Sequence, residues 1–408
     1  MSKMANALLQ RLEQAPTDER LRVIVRFHAP PLARATRAVR PLRVASYRLL
    51  PCAAYEATVA EIRSLADRDD VEQIWPDLPV HIWLDASVPL IGVPQVWAQG
   101  ARGQGIAVAV IDTGIDATHP DLAGRVIKTQ DFSGQGFQDN HGHGTHVAGI
   151  IAGNGSASSG TYTGVAPEAS LLGAKVLKGD GSGLMSDVMA GIDWAVDNVA
   201  HVINLSLVSD GPCDGSDALS QMCDAAVDRG IVVCVAAGNA GPMLRTIGSP
   251  GCARKVITVG ATDQSDHVAS FSSRGPTSDN RLKPDLCFPG VTVASCRARG
   301  TSMGQVIDAY YTAASGTSMA TPHCAGAAAL LLQADRTRSP QDIKDLLMGS
   351  AKDLQTDAYA QGRGRAQVYE AYLGNVTPPP PPPPPPGDGA GCAQVVRRFW
   401  HFLPSKGQ

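Results

Sequence analysis

A chain of 408 residues with 44% hydrophobic and 18% charged side chains and 42 glycines is too apolar for a disordered polymer and too long for one ordinary core, so at least two folded units are expected. Its 35 basic and 38 acidic residues leave a net charge of −3, which argues against a nucleic-acid or membrane-surface partner. No apolar run reaches the roughly 18 residues of a membrane span, and the first residues, Met1 to Arg11, lack both an unbroken apolar patch and a small-residue cleavage site. No signal peptide is recognised, so the expectation is a cytoplasmic protein or one secreted by an unrecognised route.

Residues 1–85 read as a small α/β domain. Arg22 to Phe27 alternates polar and apolar like a half-buried strand, Val59, Ile62, Leu65 and Ala66 lie at helical spacing, and Val71 to Trp75 reads as a second strand ahead of Pro76. From Gly105 the pattern changes to nearly continuous apolar strands, at Gly105 to Ile111, Ala169 to Leu177, Val202 to Leu207, Ile231 to Ala236 and Val256 to Val259. Helical stretches stand between them at about 186–198 and 217–229, the second closed by Gly230. Strands interleaved with helices predict an α/β fold with a parallel central sheet covered on both faces, in which functional residues gather at the carboxyl ends of strands. After Thr377, Pro378 to Pro386 reads as a stiff polyproline spacer, followed by a short tail carrying Arg397-Arg398-Phe399-Trp400. Nine cysteines contain no CxxC pair. Cys234 and Cys324 lie in apolar runs; Cys213 with Cys223, or Cys287 with Cys296, could pair in an oxidising compartment, and otherwise all remain thiols.

Three positions combine into a chemistry. Asp112 ends the first buried strand of the larger region, His143 opens a helix-like run 31 residues on, and Ser318 stands directly before the small-residue run of Cys324 to Leu332. A serine at a helix N-terminus sits where free N–H groups and the helix dipole favour developing negative charge, although such a serine can also be only a cap. Aspartate, histidine and serine together supply an orienter, a general base and a nucleophile.

The segments Val110-Ile111-Asp112-Thr113-Gly114, His119-Pro120-Asp121-Leu122, His143-Gly144-Thr145-His146-Val147-Ala148-Gly149, Gly164-Val165-Ala166-Pro167, Ala236-Ala237-Gly238-Asn239, Phe271 to Pro276 and Gly316 to His323 occur in the order found in the subtilisin family of serine proteases, which the chain resembles over about residues 95–350. The resemblance implies that Ser318 is the nucleophile, His143 the base, Asp112 its orienter and Asn239 the side-chain donor to the oxyanion. It further implies that Ser206, Leu207 and Val208 edge the substrate cleft, with Gly238 and Gly248 as wall and floor of the primary pocket. No acid stands at that floor, so a medium apolar side chain such as Leu or Met is expected before the scissile bond. No catalytic cofactor is implied; a structural calcium with Asp121 among its ligands is, although the loop Asn154 to Gly160 departs from the family in length and type. Zinc held by His141, His143, His146 and Asp121 is the rival for the histidine cluster. The domains expected are an inhibitor-type propeptide at 1–85, a catalytic domain at 86–373 and a linker with tail at 374–408. The partners implied are polypeptide substrates and the chain's own propeptide, in a monomer made as a self-processing zymogen. A peptide-binding pseudoprotease is disfavoured because all four matching positions carry competent residues; a dedicated exo- or processing peptidase stays open.

Overall fold

The computed structural model describes residues 3–4, 8–9, 12, 16, 18–28, 40–41, 51–76, 84–209, 211 and 213–376. The polyproline run and the basic-aromatic tail lie outside these. The chain divides into two compact units, Met1–His81 and Ile82–Gln408.

In the first unit, β1 (Arg20–Phe27) is flanked by β3 (Cys52–Thr58) and β4 (Val71–Pro76), with the short β2 (Arg40–Pro41) beyond β3. All these pairings are antiparallel. Alternation along β1 buries Leu21, Val23, Val25 and Phe27 on one face, against Ile62 and Leu65 of the helix Val59–Ala66. Thr58 and Glu61 cap that helix reciprocally, each side chain accepting from the other's backbone N–H.

The second unit is built on seven strands: β5 (Ala107–Asp112), β6 (Val126–Asp131), β7 (Ser170–Lys175), β8 (Val202–Leu205), β9 (Val232–Ala236), β10 (Ile257–Thr262) and β11 (Leu286–Pro289). They form one sheet in the order β11-β10-β9-β8-β5-β7-β6, and every neighbouring pair runs parallel. Successive residues of a strand serve opposite cores: Val108 and Val110 join one hydrophobic cluster, Ala109 and Ile111 the other. On the first face lie the helix His143–Ala152 and the long helix Thr317–Ala334, which pack against each other; on the second lie the helices Met185–Asp197 and Ala218–Asp228. This is the parallel, two-face-covered α/β sheet expected from the apolar runs.

The central helix Thr317–Ala334 is buried nearly all round. Its run of Ala and Gly makes that possible, since a Cβ on Gly326 would lie 2.6 Å from the Val165 Cβ. Two strands of this sheet carry no clear apolar run: β6, whose exposed edge position leaves Lys128, Thr129 and Gln130 in solvent, and β11, which is only four residues long; β2 and β3 of the first unit were likewise unforeseen. A further antiparallel sheet of β12 (Val293–Cys296), β13 (Gln305–Val306) and β14 (Tyr311–Ala314) was also unforeseen.

The cysteine expectations are corrected. Cys213 pairs with Cys252, their Cα atoms 5.9 Å apart, while Cys223, Cys287 and Cys296 are buried free thiols. Cys223 faces the core from its helix, and the thiol of Cys287 donates to the carbonyl of Gln361, so neither is turned toward its supposed partner.

The first turn of the His143 helix is pressed against the end of β5: a Cβ on Gly144 would stand 2.1 Å from the Gly114 carbonyl oxygen and 3.2 Å from the Asp112 Cβ. Gly144→Ala, made in a Ser318→Ala background to prevent self-digestion, should therefore lose about 1–3 kcal/mol in denaturant unfolding, the cost of an overpacked contact. Wild-type stability for that variant would show that the helix start moves freely.

Candidate active site

Asp112 occupies the carboxyl end of β5 and is fully buried. Its Oδ1 accepts from the Thr113 N–H at 2.7 Å and lies 2.8 Å from Nδ1 of His143. The helix that carries His143 starts at Gly142, whose φ of 105° lies in the left-handed region and whose missing side chain leaves room for Thr301. With no capping side chain at Gly142, the free N–H groups turn to Asp139. Its Oδ1 accepts from Gly142 at 2.7 Å and from His141 at 3.1 Å, and its Oδ2 from the Thr145 N–H at 2.9 Å and the Thr145 hydroxyl at 2.6 Å. Thr113 closes the circuit, donating its hydroxyl to Asp139 at 2.9 Å and accepting from the Gly144 N–H at 2.9 Å. One buried carboxylate thus fastens the helix start to the strand end. Sequence reading passed over Asp139; an aspartate just ahead of a helix start that has only glycine to cap it was the available signal.

Lys175, in register with Asp112 on β7 and fully buried, donates to the Thr113 carbonyl at 2.5 Å and to Asn140 at 3.1 Å. Burial holds its pKa below the usual lysine value, against the charges of Asp139, Asp131 and Asp112. For His143, burial disfavours the imidazolium, but the Asp112 charge, its hydrogen bond and the Asp139 charge together outweigh that, so the ring's pKa is raised.

Ser318 is the second residue of the long helix, whose N-cap is Gly316, so it does not act as the cap. Its hydroxyl donates to the Ser206 carbonyl at 3.0 Å, and the Ser206 hydroxyl donates back to the Ser318 carbonyl at 3.0 Å. That carbonyl is free because Pro322, four residues on, has no N–H to offer it. Asn239 accepts at Oδ1 from the Thr317 N–H at 2.9 Å and the Thr317 hydroxyl at 3.1 Å, which leaves its Nδ2 hydrogens as donors beside the helix start.

His143, Asn239 and Ser318 share one cavity of about 480 Å³ with Ser206, Leu207 and Val208. The last three lie beyond the end of β8 at Leu205, so the segment expected to edge the substrate cleft is not part of that strand as its apolar run suggested. Gly238 adjoins the helix start through its N–H to the Thr317 hydroxyl, 3.2 Å, and Gly248 donates to the Ala237 carbonyl at 3.4 Å.

The zinc alternative fails on geometry. His146 is a core residue whose Nε2 faces the carbonyls of Val293 at 3.0 Å and Thr312 at 3.2 Å, and burial lowers its pKa to about 3. Among the described residues the one cluster with metal-ligand spacing is His119, Asp121 and Cys296, which includes none of His141, His143 and His146. Calcium does not fit at Asp121 either. Its Oδ1 accepts from the Ala157 N–H at 2.8 Å and the Ser156 hydroxyl at 3.2 Å, and its Oδ2 from the Tyr311 hydroxyl at 2.7 Å. Calcium requires about six to eight oxygen ligands, whereas protein N–H and O–H donors here take up the carboxylate and its neighbours are an imidazole and a thiol.

A model of the Subtilase family matches residues 103–365. The chain belongs to the subtilase family. As a subtilase it is 38% identical over 351 residues to the serine protease AprX of Bacillus subtilis, covering 79% of each chain. It is 42% identical over 288 residues to subtilisin DY of Bacillus licheniformis, covering 70% of this chain and 97% of that one. A crystal structure of a cold-adapted subtilisin-like serine proteinase superposes with a TM-score of 0.54 at 34% identity, covering 65% of this chain and 88% of that one. This subtilase is a serine endopeptidase with the subtilisin-like fold.

The raised pKa of His143 couples the site to pH. A folded-state pKa above the unfolded value of about 6.5 contributes stability that is fully present below that pH and is lost as pH rises through the folded value. Proton NMR titration of His143 in Ser318→Ala should give a midpoint above about 6.5, moving down in Asp112→Asn. An identical midpoint in both proteins would remove Asp112 as the cause.

Proposed function

We propose that this subtilase hydrolyses peptide bonds through Ser318, His143 and Asp112, with Asn239 and the Ser318 backbone N–H receiving the oxyanion. The observation that carries the proposal is the 2.8 Å contact of His143 Nδ1 with Asp112, which commits that nitrogen to the carboxylate and leaves Nε2 for the cleft that holds Ser318. In this mechanism Nε2 takes the Ser318 hydroxyl proton as Oγ attacks the substrate carbonyl, then returns it to the leaving amine; water repeats the sequence on the acyl-enzyme. The contact of Ser318 with the Ser206 carbonyl is replaced as substrate arrives, since nucleophile–base hydrogen bonds often tighten only with substrate bound. Asp112, in contact with His143 Nδ1, fixes the tautomer. Asn239 is preorganised because Thr317 holds its amide oxygen, so donation at Nδ2 costs no reorganisation when the charge forms.

The first unit is proposed to be the inhibitor-type propeptide of a self-processing zymogen, with cleavage upstream of Ser87. Ser87 is buried and hydrogen-bonded at 2.8 Å to His323 of the long helix, so it belongs to the body that remains. The processed enzyme is proposed to act as a monomer.

Ser318→Ala should yield a folded, uncleaved chain with activity down by several orders of magnitude, and Asn239→Ala should lower kcat by about 10²–10³-fold. Hydrolysis of a peptide substrate by Ser318→Ala at the wild-type rate would end the assignment. A folded fragment 1–85 that fails to inhibit the mature enzyme at micromolar concentration would instead make the first unit a permanent domain.

A further inference from the structure

The segment after β8 places the branched side chain of Val208 beside both Gly238 and Gly248, the two glycines expected to form the primary pocket. A Cβ built on Gly238 would lie 3.5 Å from Cγ2 of Val208, and one built on Gly248 would lie 3.3 Å from the Val208 Cβ and 2.4 Å from the Ser209 carbonyl oxygen. Val208 is thus within van der Waals reach of both glycine positions, with Ser273 Oγ at 2.8 Å also beside the Gly238 position. Val208 cannot easily swing away, because a β-branched side chain has few χ1 alternatives.

The backbone that carries it is fastened on the same side. The Ser209 N–H donates to the Ser249 carbonyl at 2.8 Å, one residue past Gly248. Four residues after Ser209, the Cys213–Cys252 disulfide joins the edge segment to the floor segment again, and the Cys213 carbonyl accepts from the Ser278 N–H at 3.0 Å. The edge and floor segments are therefore joined by a backbone hydrogen bond and by a covalent link. The open cavity is lined by Val208 together with Leu177, Leu184, Val188 and Leu219, but by neither Gly238 nor Gly248.

We propose that Val208 fills the primary pocket and that the enzyme accepts only small residues, Gly, Ala or Ser, before the scissile bond, with the Cys213–Cys252 disulfide holding the pocket closed. This replaces the expectation of Leu or Met, and it rests on the assignment of Ser318 as the nucleophile. A cleft that would admit Leu between two glycines loses that room when a branched side chain stands beside both of them.

The test uses the mature wild type, Val208→Gly and the double variant Cys213→Ser/Cys252→Ser on a peptide library varied at the residue before the scissile bond. The wild type should cleave after Ala at least about tenfold more efficiently than after Leu or Phe, and Val208→Gly should raise the ratio of kcat/KM for Phe to that for Ala by about tenfold or more. The double variant should shift the ratio in the same direction by less. Wild-type cleavage after Leu or Phe as efficient as after Ala, or a ratio unmoved by Val208→Gly, overturns the proposal. Labelling of Ser318 by methanesulfonyl fluoride separates the two claims: a labelled Ser318 with a profile dominated by large residues overturns the closed pocket alone, whereas an unlabelled Ser318 overturns the nucleophile assignment beneath it.

Discussion

The hydrogen bond between Asp112 and His143 depends on two elements meeting end to end, and the rest of the site follows from how that meeting is secured. Strand β5 delivers Asp112 at its carboxyl end, and the helix beginning at His143 presents its unpaired N–H groups to the same place. Asp139 takes up those groups and, through Thr113, reaches back to the strand. The arrangement sets a negative charge at a helix N-terminus, where the dipole favours it, and keeps Gly144 in direct contact with the chain after Asp112. A second buried carboxylate so near His143 also adds to the charge that favours its protonated form. Structural cap and electrostatic neighbour are here one residue.

The opposite side of the cleft is secured by a different device. Pro322 leaves the Ser318 carbonyl without its helical partner, and Ser206 supplies the missing donor while receiving the Ser318 hydroxyl in return. Asn204 holds the Ser206 hydroxyl in turn at 3.0 Å. The end of β8, the cleft edge and the start of the long helix are thereby one hydrogen-bonded unit, so the positions of Ser318 and of the cleft edge are set together. Because the long helix is buried among β8, β9 and β10, that unit has little freedom to shift as a whole.

The sheet was legible in the sequence where strands are buried on both faces, because a short continuous apolar run such as Ile106 to Ile111, between Gly105 and Asp112, fits a buried strand better than an amphipathic helix. It was not legible at β6, where an edge strand with solvent-facing residues loses the signal, or at β12 to β14, whose pairing joins segments as far apart as Val293 and Ala314. Asp112, His143, Asn239 and Ser318 were marked by motifs, but Asp139 and Lys175 were not, since their importance comes from contacts made across the sheet and the helix start. Asp121 shows the opposite failure. Its motif pointed to calcium, while the loop Asn154 to Gly160 folds so that Ala157 and Ser156 donate to the carboxylate and Tyr311 arrives from β14. Cysteine spacing was equally silent, because Cys213 finds Cys252 only through the way the cleft edge runs beside Ser249.

The central claim is that Ser318 becomes covalently acylated at the junction of these two secured elements. Acid-quenching the enzyme during turnover of an N-acylated alanine ester and mapping the protein by mass spectrometry tests this most directly. The account predicts an acyl mass on the peptide containing Ser318, absent from Ser318→Ala and from heat-unfolded wild type. An acyl group on any other residue, or turnover of the ester with Ser318 unmodified throughout, would contradict it.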